Sequence, residues 1–312
     1  MLEILQRLKI IIQIIGLGER MYFRSLFLFL FLIPTFFLPA IEKTLDTRSH
    51  SVVVSISPYK YFVDAIAGNT VKVHLLVPSG TSFHDYEPTP KQMANAANSD
   101  IWFRIGETFE THAVASLKGH NPRMRVVDLR DGIDLITLSS EGACPHCIHS
   151  GADLHIWLSP KQTKTQVKAI AKALIDTYPE HTTQYQMRRD EILSDLDSID
   201  REIADTLRPV RNRTIMVAHP AYAYFTRDYG LQQLPIEYEG KDPSPRQLDR
   251  ILREAHQKQV KTIFVQKEYG SKGAYLIADQ LGAKIETLAP YTGDDYFNSL
   301  RNIANKIAEQ DK

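Results

Sequence analysis

Short runs rich in Val and Ile, each followed by a stretch of helical character, constrain this chain more than any other feature. Four runs stand in the first half, at Val52–Ser57, Val71–Val77, Asp100–Ile105 and Arg125–Leu129. Three more stand in the second half, at Thr214–Ala218, Lys261–Gln266 and Lys284–Leu288. Short runs that do not alternate with polar residues belong in parallel sheets covered by helices on both faces. The intervening helices include Tyr59–Ala67, Pro90–Asn98, Pro160–Thr177, Pro245–Gln259 and Lys272–Leu281. Ser57-Pro58, Thr89-Pro90, Ser159-Pro160 and Ser244-Pro245 read as helix starts. A hydroxyl at the cap satisfies an orphan N–H, and proline in the first turn has no donor to lose. The pattern predicts an α/β protein of two βα lobes with mainly parallel sheets.

A different segment lies between the lobes. From Glu180 to Arg208 the apolar residues Ile192, Leu196, Ile199, Ile203 and Leu207 recur at helical spacing, and Pro209 follows. This is one apolar stripe on a long helix with charges around the rest. It reads as a rigid backbone helix joining the lobes, with an ordinary packing helix inside one domain as the alternative. The division expected is residues 1–40, an upstream extension and signal peptide; 41–178, the N-terminal lobe; 179–210, the connecting helix; and 211–312, the C-terminal lobe. No internal repeat is visible.

The compartment is read from the N-terminus. Met21 and Arg24 precede an apolar run from Leu26 to Leu38, and Ala40 then offers a small residue for cleavage. Positive start, short apolar centre and small exit describe a secretory signal peptide. The run falls short of the roughly 20 residues a spanning helix needs, with an uncleaved membrane anchor as the alternative reading. Translation is expected to begin at Met21, and no cysteine follows the run to carry a lipid. Lys+Arg and Asp+Glu both number 37, so no basic excess marks a nucleic-acid binder. Two cysteines cannot staple a fold of this length.

Three histidines share one setting, the loops at or beyond the carboxyl ends of strands. His84 sits in Gly80-Thr81-Ser82-Phe83-His84-Asp85, His155 in Asp153-Leu154-His155-Ile156-Trp157-Leu158-Ser159-Pro160, and His219 between Ala218 and Pro220. Ligands of open α/β sheets gather at those strand ends, so the three rings could converge. Three imidazole nitrogens make most of a tetrahedral Zn²⁺ site.

At these stretches the sequence resembles the zinc- and manganese-specific solute-binding proteins of ABC importers, the cluster A-I metal-binding family. Pro78–Pro90 is similar to the family's first ligand loop. Asp153–Pro160 resembles its Asp-x-His-x-Trp-Leu-x-Pro motif, and Ala218–Phe225 its third-ligand segment. The likeness covers nearly the whole chain after the apolar run. It implies metal ligation by His84, His155 and His219 in the cleft between two lobes joined by a long helix. It also implies delivery of the ion, outside the cytoplasm in the periplasm, to a membrane permease by a monomeric carrier that is not an enzyme. Histidine at 219, where manganese carriers of the family place a carboxylate, leans to Zn²⁺, with Mn²⁺ or Fe as alternatives. Asp242-Pro243-Ser244-Pro245 and Asp295-Tyr296 match family positions that read as structural.

Two departures bear on the fourth ligand. Ala289 stands where many relatives carry aspartate, and Gln266-Lys267-Glu268 replaces the usual Glu-Pro-Gln. Asp295, Asp294 and Glu268 are therefore candidates to complete the sphere, beside water. A second cluster, Cys144, His146, Cys147 and His149, could collect metal at the cleft mouth, or Cys144 and Cys147 could form a disulfide. Glu107 and Glu110 read as loop and helix-start residues, with support of a histidine as the alternative. Phosphate loops, Gly-x-Ser-x-Gly and His-Glu-x-x-His are absent. From another class, a secreted zinc hydrolase would use the same three histidines, but Asp85 is the one evident base. A surface adhesin with incidental metal is a third alternative.

Overall fold

The computed structural model describes residues 50–84, 86–137, 151–237, 242–267, 272–290 and 295–310. Two four-stranded sheets organise them. The first holds β1 (Ser51–Val54), β2 (Lys72–Leu75), β3 (Ile101–Arg104) and β4 (Arg125–Asp128) in the order β2-β1-β3-β4. The second holds β5 (Thr214–Val217), β6 (Gln232–Pro235), β7 (Thr262–Val265) and β8 (Lys284–Thr287) in the order β6-β5-β7-β8. Every pairing within them is parallel. Counted from its own first strand, the second sheet repeats the order of the first. The repeat absent from the sequence is thus present in the topology, because burial constrains which positions are apolar and not which apolar residue fills them.

The strand runs in the sequence fall on seven of the eight strands. Among these β1, β5 and β7 are buried throughout. The eighth, β6, reads Gln-Gln-Leu-Pro and shows neither β-branched residues nor alternation. It lies at an edge, where a terminal proline costs little ladder bonding.

Helices cover both faces: α1 (Ser57–Ala67), α2 (Pro90–Ala96), α3 (Thr108–His120), α4 (Pro160–Thr177), α5 (Thr182–Leu207), α6 (Ala223–Tyr229), α7 (Pro245–Gln257), α8 (Lys272–Leu281) and α9 (Tyr296–Ala308). The helices α3, α6 and α9 add to those read from sequence; none of them begins with a hydroxyl-proline pair. Thr89 and Ser159 cap α2 and α4, accepting from the N–H groups of Gln92 and Gln162. Ser57 instead lies inside α1, with Ile56 at the cap.

The long helix α5 spans 26 residues and buries Ile192, Leu196, Ile199, Ile203 and Leu207, the stripe expected from spacing. One continuous core contains this stripe, Val53 and Trp102 of the first sheet, and Val217 and Phe264 of the second. A smaller core on the other face of the second sheet contains Met216, Ile263 and Val265 with Ile251 of α7 and Ile277 of α8. Alternate residues of β5 and β7 therefore face opposite ways, as the pleat requires. Polar ties cross between the halves as well. The Trp157 indole N–H donates to the Pro290 carbonyl at 2.8 Å, and the Tyr296 hydroxyl donates to the Trp157 carbonyl at 2.7 Å.

Candidate metal centre

Each of the three histidines follows from a local chain ending. His84 lies in the loop between β2 and α2, His219 two residues past β5, and His155 at the start of a single 3-10 turn, Ile156–Leu158, leading into α4. Their side chains are 1%, 0% and 0% exposed. Pairwise ring-centroid distances of 5.3, 5.3 and 5.4 Å make a nearly equilateral triangle. One ligating nitrogen from each ring lies within 4.8 Å of the others, and this is the one such group among the described residues.

A carboxylate stands behind every ring. Nδ1 of His84 meets Glu107 Oε1, Nδ1 of His155 meets Asp153 Oδ1, and Nδ1 of His219 meets Glu237 Oε2, each at 2.9 Å. An ionised carboxylate only accepts, so Nδ1 carries the proton and Nε2 keeps its lone pair for a metal. Asp153 Oδ1 also accepts from the His155 backbone N–H at 2.9 Å, which fixes the ring to its own chain. Three buried carboxylates around three neutral rings set a negative field suited to a divalent cation. Phe83 and Trp157 border His155, with centroids 5.5 and 5.4 Å away, and keep that side apolar.

Glu107 is placed by the turn between β3 and α3. Glu110, fully buried, accepts from the N–H groups of Ile105 at 3.0 Å and Gly106 at 2.6 Å, and from the Ser55 hydroxyl. Its own N–H donates to the Glu107 carbonyl at 3.1 Å. Burial pushes its carboxyl up to about 7. Gly106 sits at φ +94°, and the Arg130 guanidinium occupies the space a Cβ would need, so glycine is required there.

The structure brings His84, His155 and His219 together. It does not bring Asp295 to them. Asp295 is the exposed N-cap of α9, where its Oδ1 accepts from the Asn298 N–H at 3.0 Å. Asp242 likewise has a structural bond, accepting from the Gly273 N–H at 3.2 Å. Glu268, Asp294, Asp85 and the cluster Cys144, His146, Cys147 and His149 lie outside the described residues, as does the apolar N-terminal run. Sequence reasoning missed Glu237. It follows β6, the strand with no pattern of its own, so nothing local marked it.

Two parallel-sheet lobes with buried imidazoles from both at their junction define a metal-binding protein of the two-lobed solute-receptor class. Residues 52–310 match the family model described as ZnuA, zinc-uptake complex component A, periplasmic. The high-affinity zinc uptake system protein ZnuA of Bacillus subtilis is 31% identical over 269 residues, covering 84% of this chain and 81% of that one. A crystal structure of ZnuA aligns with TM-score 0.78 at 34% identity, covering 85% of this chain and all of that one. A ZnuA deletion mutant solved with zinc bound aligns with TM-score 0.76 at 34% identity, covering 84% and 98%. The chain belongs to this zinc-uptake family of solute-binding proteins, which are not enzymes. The hydrolase alternative therefore falls away. Among the described residues no helix is long and apolar enough to cross a membrane.

Proposed function

We propose that the chain captures Zn²⁺ in the periplasm through His84, His155 and His219 and delivers it, as a monomer, to the permease of an ABC importer. The observation that carries this reading is the triangle of rings, each with its Nδ1 tied to a carboxylate. Rings held in that tautomer need shed no proton to bind, and nitrogen ligands favour zinc over manganese. Zinc bonds nitrogen at about 2.0–2.1 Å, and one nitrogen from each of the three rings lies within 4.8 Å of the others, a set that can converge on one ion. The zinc named in the relatives' descriptions supports the same cargo. Residues 41–178 and 211–312 serve as the two jaws and 179–210 as their connector. The apolar run Leu26–Leu38 supports export.

Replacing His155 by Ala tests this. Calorimetric titration with Zn²⁺ should show loss of tight binding while circular dichroism remains that of the parent. Zinc affinity equal to the parent's would remove His155 from the centre. Delivery is tested separately: cells lacking the protein should regain zinc-limited growth with the parent and not with the His155→Ala form.

A further inference from the structure

Gln266 follows β7 by one residue, and its buried side chain has no hydrogen-bond partner for either Oε1 or Nε2 among the described residues. An amide buried without partners is costly, and proteins keep one where a water or ion satisfies it. The sheet indicates what this amide faces. Val217 of β5 pairs with Phe264 of β7, and the Ala218 N–H extends the ladder to the Phe264 carbonyl at 2.8 Å. Two residues beyond that pair stand His219 and Gln266.

Ile215, Val217 and Phe264 belong to the core shared with the first sheet, whereas Met216, Ile263 and Val265 belong to the core on the opposite face. Side chains alternate along a strand, so His219 and Gln266 continue the first series side by side. The His219 ring does point that way, lying 5.3 Å from the ring of His84.

We propose that the Gln266 side-chain carbonyl accepts a hydrogen bond from the water that completes the coordination sphere of the captured ion. The proposal rests on the three-histidine reading above. Three imidazoles leave one tetrahedral position open, and water bound to zinc is a strong donor. A neutral acceptor holds that water without adding charge to a centre that already has three carboxylates. The role needs no fourth protein ligand at Ala289.

The test compares Gln266→Leu and Gln266→Glu with the parent, reading zinc affinity by chelator competition and the thermal midpoint of the metal-free protein. Leucine removes the unsatisfied amide, so metal-free Gln266→Leu should melt above the parent while its zinc affinity falls about tenfold, the scale of outer-sphere partners. Gln266→Glu retains an acceptor and should bind zinc at least as tightly as the parent. Parental zinc affinity in Gln266→Leu overturns the proposal. So does a metal-free Gln266→Leu that is less stable or fails to fold, because the amide would then already serve the protein itself. His155→Ala run alongside separates the two readings. If only that variant loses zinc, the three-histidine centre stands without Gln266; if it keeps zinc, both fall.

Discussion

A carboxylate held at 2.9 Å from an imidazole Nδ1 orients the ring and selects the nitrogen left for the metal. Glu110 acts one step further out. It grips the turn that presents Glu107, and it does so as a buried acid with a carboxyl pushed from 4.5 to about 7, the desolvation outweighing the bonds from Ser55, Ile105 and Gly106. The folded protein therefore keeps a proton that the unfolded chain releases above about pH 4.5. The stability contributed by that proton is complete below this pH, declines as pH rises, and is gone above about 7. The shift corresponds to about 3 kcal/mol at 1.36 kcal/mol per unit. Glu110→Gln cannot ionise and should abolish this decline, measured as urea unfolding free energy of the metal-free protein across the interval. An unchanged decline in the variant would assign it to another group.

At the scale of elements, α5 is the member whose sequence and structure agree most closely. Its stripe of Ile192, Leu196, Ile199, Ile203 and Leu207 belongs to the shared core, with α4 and α9 packed along it. Truncating one of these residues leaves a cavity where α5 packs on α1 and α4 of the first half and α9 of the second. Leu196→Ala should cost about 2–5 kcal/mol in denaturant unfolding. A cost well under 1 kcal/mol would mean that the stripe does not bear on both halves. The exposed fork of Arg301 on Glu202, at 2.6 and 2.9 Å, also joins α9 to α5 but is screened by solvent and contributes far less. The edge strand β6 shows the limit of reading elements from pattern. Pairing with β5 makes it a strand, and only that pairing brings Glu237 to His219.

For the whole molecule, the shared core implies that the two sheets unfold together. Trp157, which donates to Pro290, and Tyr296, stacked edge-on against Phe62 with ring centroids 4.7 Å apart, reinforce the junction beside the histidines. Calorimetry of the metal-free protein should therefore show a single cooperative transition, shifted upward by zinc through binding to the folded state alone. Two resolved transitions would contradict a common core. Such a junction suits a receptor whose candidate ligands come from both halves.

The alternation of short apolar runs with capped helices, and the spacing of one long stripe, determined by themselves that this is a two-sheet α/β chain with a connecting helix. These are local signals, because burial on a strand or helix imposes its period on neighbouring residues. The three histidines were legible too, through motifs written in contiguous residues. Tertiary structure alone decided that the rings meet, that Glu107, Asp153 and Glu237 stand behind them, that Asp295 is spent on capping a helix, and that both sheets share one strand order. Each of these depends on residues far apart in the chain. Their proximity is set by how sheets pair and pack, and no short stretch of sequence encodes that.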